Sequence, residues 1–229
     1  MMNSTNPDLR LPMGALIIAG MAVVFMVIWS VALWPDMTPT IVTREAGGNH
    51  GQSAVSREVT AAAMPVVLVV LAVLLAAAPT LDAKLMRLII TTPQQDRGRG
   101  SPRVLGASLV GLSILLSALH VGFVDMHTGA GLPIEQIVPV AAGVLLTILG
   151  IYLPLAHPST THDNERFEAF RAAQGPAYRI GGFVLVLVGL ATIVSGLLLP
   201  WLSIVIAVGG VAAIFVSIIV VSLIRASQT

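Results

Sequence analysis

The sequence predicts an all-α protein that crosses a membrane six times. Its 229 residues are 56% hydrophobic and only 10% charged, whereas about 25% of the residues in an average soluble domain are charged. Mean hydropathy is +0.92, and the charged residues lie in segments between long uncharged blocks. A soluble fold of this size could not bury so much apolar surface, so we expect the blocks to face lipid.

Five uncharged blocks are long enough to span a bilayer, which takes about 20 apolar residues in a helix. They run from Leu11 to Trp34, Val59 to Ala78, Val104 to Val124, Gln136 to Leu155 and Ile180 to Ile224. The last block would extend about 68 Å as one helix, so we expect it to fold back at Pro200 and Trp201. The sequence therefore predicts six spans in one membrane domain, at about 11–34, 59–78, 104–124, 136–155, 180–199 and 202–224.

The basic residues predict the orientation of these spans. If the N-terminus is cytoplasmic, only Arg44 and Arg57 lie on the external side. The cytoplasmic segments then hold Arg10, Lys84, Arg87, Arg97, Arg99, Arg103, Arg166, Arg171, Arg179 and Arg225. Because positive charge accumulates in cytoplasmic loops, we expect both termini to be cytoplasmic.

Composition excludes several functional classes. A net charge of +1 provides no basic field for nucleic acid, and the absence of cysteine removes disulfides, thiolate nucleophiles and cysteine metal sites. Lys84 is the only lysine among 12 basic residues, a usage typical of GC-rich bacterial genomes. The sequence thus indicates a multi-pass protein of the bacterial plasma membrane, with the lipid bilayer as its first partner.

Each of the two larger cytoplasmic loops is predicted to contain a short helix at the membrane interface. In residues 81–90 the leucines share one helical face, and Lys84 can reach the lipid headgroups. In the second loop, Asp163 is expected to cap a short helix that Gly175 and Pro176 end.

Small residues form a stripe on each of the last two helices. Such stripes let neighbouring backbones approach closely in a membrane. We expect them to pack the final helical hairpin, with a dimer face as the alternative. The residues are Gly182, Gly189, Gly196, Gly209, Ala213 and Ser217.

Few residues are placed where they could carry chemistry. His120 is the only clear ionisable group inside a predicted span, and no other titratable group occupies a predicted midplane, so a proton relay is one hypothesis for it. Its distance of five residues from Asp125 does not suit one helical face, and we favour a polar contact. The other four histidines, including His127, fall in connecting segments without the spacing of metal ligands. We therefore predict no catalytic residue, no metal and no cofactor.

The segment that follows the first span carries a family resemblance. The run WPDMTPTIVTREAGG, followed by AAAMPVVLVVLAVLL, is similar to the N-terminal module of the SdpI-like bacterial immunity proteins. The matching residues are Pro35, Asp36, Pro39, Thr40 and Gly47. Ile41 and Val42 stand where the family usually has a histidine and an aromatic residue, so no role of that pair carries over.

Two later segments extend the resemblance over most of the chain. GVLLTILGIYLPLAHP resembles the family's fourth helix and its exit, and YRIGGFVLVLVGL is similar to the start of its fifth helix. The matching residues are Gly150, Tyr152, Leu153, Pro154, Pro158, Gly181, Gly182 and Gly189. Ile151 replaces the usual asparagine, and ERFEAFRAAQGPA replaces a tryptophan-rich segment.

The resemblance implies a six-helix membrane protein without enzymatic activity. The best-known relatives protect a producing cell against a secreted membrane-active toxin and can sequester a transcriptional repressor at the membrane. On this interpretation the external segment from Pro35 to Glu58 would meet a peptide toxin. Two alternatives stay open: an accessory structural subunit of a larger membrane complex, such as a respiratory one, and a small transporter that uses His120 or the helix prolines Pro65 and Pro139.

Overall fold

Six long helices make up most of the computed structural model, which describes residues 13–44, 53–89, 101–156 and 165–226. They are α1 (Met13–Leu33), α2 (Arg57–Ile89), α3 (Ser101–Thr128), α4 (Ile134–Tyr152), α5 (Glu165–Leu198) and α6 (Pro200–Ala226). Each contains a stretch that is long and apolar enough to cross a membrane. The predicted all-α fold with six membrane-spanning helices is therefore confirmed.

The helices pack as two groups of three. In the first group α1, α2 and α3 enclose a core whose buried members include Met26, Leu68 and Leu109. In the second group α4, α5 and α6 pack around a smaller core that includes Leu185 and Ile214. Contacts between α3 and α4 join the two groups, and α3 is the most deeply buried of the six spans.

The two predicted interface helices are continuations of longer helices. α2 runs 11 residues past Ala78, the last residue of its apolar span, and α5 begins 10 residues before its span starts at Gly175. The prediction that Gly175 and Pro176 end a separate helix is wrong, because α5 passes through Pro176. A proline removes one helical hydrogen bond, but a long helix with favourable turns on both sides can continue with a bend.

The glycines of α5 lie against α4. A Cβ atom on Gly189 would overlap Thr147 Oγ1 and lie 2.7 Å from the carbonyl oxygen of Gly143. A Cβ on Gly182 would lie 2.6 Å from the carbonyl oxygen of Gly150. A Cβ on Gly196 would lie 2.8 Å from the Cβ of Pro139. The glycines of α5 thus let two helix backbones pack together, as small residues do in membranes. The neighbouring helix is α4, whereas we had expected α6.

The small residues of α6 have a different environment. Gly209, Ala213 and Ser217 are all exposed, and a Cβ built on Gly209 would meet no atom within 4 Å. It is the neighbouring Gly210 that faces α5, where a Cβ would lie 2.6 Å from Val188 Cγ1. Within the described residues, these three small residues of α6 therefore do not pack against α5, as we had expected.

A small antiparallel β-hairpin lies between α1 and α2. After a single 3-10 turn (Trp34–Asp36), strand β1 (Thr40–Arg44) pairs with β2 (Ser53–Ser56), with Thr40 opposite Ser56 and Val42 opposite Ala54. From the sequence we expected an external loop here, without strands. We call the end of the bundle that carries this hairpin, together with the α3–α4 and α5–α6 turns, the hairpin end.

Candidate functional site

Two buried histidines on α3 bond this helix to α1, to α2 and to the segment before β1. His120 and His127 are seven residues apart, which is close to two helical turns, so they lie on the same side of α3. Both are fully buried or nearly so, at 0% and 1% exposure. Buried imidazoles are expected to be hydrogen-bonded, and the partners of these two show what each residue holds in place.

His127 ties the segment before the hairpin to α2. Its Nδ1 donates to the carbonyl oxygen of Thr38 at 2.9 Å, since a carbonyl can only accept. Its Nε2 lies 2.9 Å from Thr60 Oγ1, and in a neutral ring this nitrogen accepts the hydroxyl hydrogen. The backbone N–H of Thr38 also donates to the His127 carbonyl at 3.0 Å. One side chain therefore links α3, α2 and the chain that leads into β1.

His120 ties α3 to α1 one level deeper in the bundle. Its Nε2 lies 2.9 Å from the carbonyl oxygen of Met26 and 2.8 Å from Ser30 Oγ. The carbonyl requires a donor, so Nε2 carries the hydrogen and both oxygens are positioned to accept it. These two contacts join α3 to α1 through the His120 side chain. Within the described residues its buried Nδ1 has no hydrogen-bond partner.

Contacts around Trp34 and Arg57 hold the two ends of the hairpin segment. The Arg57 guanidinium lies 4.6 Å from the centroid of the Trp34 ring and 3.3 Å, at Nε, from Glu58 Oε1. The Arg57 N–H donates to the carbonyl oxygen of Pro39 at 3.1 Å. The cation–π contact and the backbone bond fix where the chain enters β1 and leaves β2. The ion pair is largely exposed and adds little.

The residues that the family resemblance singled out have mixed environments. Pro35 and Asp36 are exposed in the 3-10 turn, and Thr40 is exposed at the start of β1. Pro39 contributes its carbonyl oxygen to Arg57, and Glu58 is exposed beside it. Gly47 lies outside the described residues. We call the 3-10 turn and the two strands, Trp34–Arg44 and Ser53–Ser56, the platform. The platform lies at the hairpin end, whereas His120 lies deeper inside the bundle.

A pocket of about 450 Å³ opens at the same end, between α3, α4 and the first residue of α6. Its walls include Leu119, Phe123 and Val138, with Pro200 on the α6 side. It therefore lies where the two groups of three helices meet. Pockets between packed helices and at such junctions are common binding sites.

Two carboxylates give this apolar pocket a negative character. Asp125 and Glu135 line it, and none of the twelve lining residues, all in the described part of the chain, is basic. Asp125 Oδ1 accepts the N–H of Leu132 at 3.2 Å, which anchors the carboxylate to the α3–α4 turn. Glu135 is exposed in the first turn of α4. The two carboxylates can accept hydrogen bonds from a cationic group, and the apolar walls can contact the hydrocarbon part of the same ligand.

The site has the parts of a binding surface. Among the described residues, no three histidine, aspartate or glutamate side chains come together as a metal-binding group. The hydroxyls near the histidines serve as hydrogen-bond partners that hold helices in place. What the arrangement provides is a rigidly supported platform and an adjacent acidic pocket.

The role of His127 was not predicted from the sequence, and neither were those of Thr38 and Thr60. His127 was placed in the external connection, whereas it lies in the last turn of α3 and is buried. The missed signal was the spacing of seven between His120 and His127, since only the spacing to Asp125 was tested. Thr38 contributes backbone atoms, which no residue-type pattern reveals.

No protein-family model, no curated protein and no solved structure matches the chain at a significant level.

Proposed function

We propose that this multi-pass membrane protein is a non-enzymatic bacterial protein that protects its cell against a membrane-active peptide, or signals its presence. The proposal combines the resemblance to SdpI-like immunity proteins with the architecture of the hairpin end. The observation that carries it is the buried His127 side chain, which joins the hairpin segment to two helices. A binding surface needs this kind of support, because a platform held rigidly loses little entropy when a partner binds.

The outward face of the hairpin is the surface that we propose meets the peptide. Val42 is 52% exposed and sits opposite the exposed Ala54. A short two-stranded hairpin is marginal by itself, so an apolar pair on its outer face favours contact with an apolar partner. The peptide would bind here as it approaches the membrane surface.

The proposed orientation places both termini in the cytoplasm of a bacterial cell and the hairpin end outside. It is supported by the ten basic residues on the predicted cytoplasmic side against two on the other. Because the chain has no cysteine, single introduced cysteines report on it cleanly. In intact spheroplasts, a membrane-impermeant maleimide is expected to label Ala130→Cys at the exposed α3–α4 turn. Ser227→Cys is expected to react only after lysis, and the reverse pattern would refute the orientation.

The protective function is tested by killing curves. Deletion of the gene is expected to lower, by several-fold, the concentration of at least one membrane-active peptide that kills the host, and the wild-type gene on a plasmid should restore survival. Val42→Gln should restore survival poorly because it removes exposed apolar surface from the platform. Leu155→Gln is the matched control, since Leu155 is similarly exposed, at 42%, at the opposite end of the bundle.

Equal expression of the two variants must be shown by immunoblot, because lost protein would mimic lost contact. Identical killing curves for the deletion and the parent strain across a broad peptide panel would refute the protective role. Equal rescue by the two variants would locate the contact away from the hairpin face.

An accessory subunit of a larger membrane complex is the second candidate function. The exposed small residues of α6, Gly209, Ala213 and Ser217, favour it, because they would let another helix pack closely. Purification from the host membrane in mild detergent separates the two candidates. Stoichiometric recovery with a large complex would support the subunit, and recovery of the chain alone would support the protective protein.

A further inference from the structure

The acidic pocket at the hairpin end combines two features that select a specific ligand chemistry. Its walls are mainly apolar side chains, of which Phe123 and Met126 are 40% and 56% exposed. Its charged side chains are the carboxylates of Asp125 and Glu135, and Gln136 adds a neutral polar side chain. Among the side chains that the structure describes, neither carboxylate forms an ion pair. A ligand that matches this lining carries a positive group on an apolar body.

The shape of the pocket is held in place before any ligand arrives. The α3–α4 turn contains Gly129 and Gly131 with φ of +65° and +74°, a backbone conformation that glycine adopts without strain. A Cβ on Gly122 would lie 2.8 Å from Ile134 Cγ2, so α3 and α4 approach closely there. Together with the bond from the Leu132 N–H to Asp125, these contacts leave little to reorganise on binding.

We propose that this pocket binds a cationic side chain, together with its apolar neighbours, of an amphipathic peptide. The inference rests on the proposed function and deepens it by naming the chemistry of the partner and a second contact beside the hairpin. An amine-bearing lipid headgroup fits less well, because its phosphate would come close to two carboxylates in a pocket without a basic residue. A peptide ammonium or guanidinium brings no such anion.

Binding is measured with the purified full-length chain in phosphatidylcholine nanodiscs. The probe is a fluorescein-labelled amphipathic helical peptide of lysine and leucine, titrated by anisotropy with empty nanodiscs as background. The double variant Asp125→Asn with Glu135→Gln is expected to weaken binding about tenfold. Asparagine keeps an oxygen that can accept the Leu132 N–H, so the turn should survive.

The matched control is the double variant Glu165→Gln with Glu168→Gln. It removes the same two charges from the part of α5 that precedes its span, away from the pocket and from the hairpin segment. A smaller loss of affinity than in the pocket variant supports the proposal. An equal loss would overturn it, because general charge attraction would then explain the binding.

A second variant guards against a folding defect in the first. Met126→Lys places a tethered ammonium beside the carboxylates from an exposed position, and it is expected to weaken peptide binding without disturbing the core. Unchanged affinity in Met126→Lys and in the pocket double variant would overturn the proposal. Loss of peptide binding when phosphatidylethanolamine replaces phosphatidylcholine would also overturn it and assign the pocket to lipid.

The killing curves distinguish the failure of this inference from the failure of the proposed function. If the wild-type chain protects cells and the pocket double variant protects equally, the protective function stands and the pocket inference fails. If the wild-type chain protects against no peptide, the proposed function fails, whatever the nanodisc measurement gives.

Discussion

Gly189→Val is expected to abolish recovery of folded protein, whereas Gly209→Val should leave recovery unchanged. At position 189 a new Cβ would overlap Thr147 Oγ1 and press on the backbone of α4 at Gly143, where no rotamer change can relieve the contact. Overpacking of a core usually costs about 1–3 kcal/mol of stability. We expect the cost here to lie at or above the upper end of that range, because the new atoms press on backbone atoms. At position 209 a Cβ would meet no atom within 4 Å, and the position is exposed, so the larger side chain has open space beside it.

The comparison is made by fluorescence-detected gel filtration of both variants after extraction in mild detergent, followed by thermal melts of the recovered monomer. Both substitutions replace glycine by valine in a membrane span, so propensity differences largely cancel. Equal recovery and equal melting of the two variants would show that α4 and α5 are not packed through their glycines. A defect in Gly209→Val confined to host membranes would point to a helix partner for α6.

His127→Ala is expected to release the hairpin segment from the bundle. The variant loses the bonds to Thr38 and Thr60 and leaves their polar atoms without this partner, which should lower the free energy of unfolding by about 1–3 kcal/mol. Because the side chain links the hairpin segment to α2 and α3, we expect the free energy of local opening of this segment to fall more than the free energy of global unfolding. Trypsin should therefore cleave after Arg44, in β1, several-fold faster in the variant.

His120→Ala provides the matched control for this prediction. It removes an equally buried histidine from the same helix, but one bonded to α1 at Met26 and Ser30. A comparable loss of stability with no faster cleavage after Arg44 is expected. Equal acceleration in the two variants would mean that His127 has no special hold on the hairpin segment.

Hydropathy predicts the spans well because crossing a membrane is a local requirement. Each span must satisfy its backbone within itself, so its length and apolarity are visible in a single stretch of sequence. The break between α5 and α6 was also visible in a short stretch of sequence. Pro200 starts α6 and cannot donate a hydrogen bond to the turn before it.

Which surfaces meet is a property of the whole chain, and there the sequence was a poorer guide. The glycines at 182, 189 and 196 indicate a close approach, but nothing in their spacing says whether α4 or α6 is the neighbour. The β-hairpin was missed because the glycine-rich stretch at 45–52 suggested a loop, although the β-branched residues of TIVTR are typical of a strand. His127 was missed because the helix continues beyond the apolar stretch that hydropathy detects.

The parts of α2 and α5 that extend beyond their spans have a mechanical consequence. Residues 79–89 and 165–174 are helical arms of about 15 Å at the end opposite the hairpin. Each joins its span at or beside a proline, Pro79 in α2 and Pro176 in α5. Helices bend most easily where a proline interrupts the hydrogen bonds, so each arm has a joint at its base. Bending at these two joints would move the arms while the spans keep their packing.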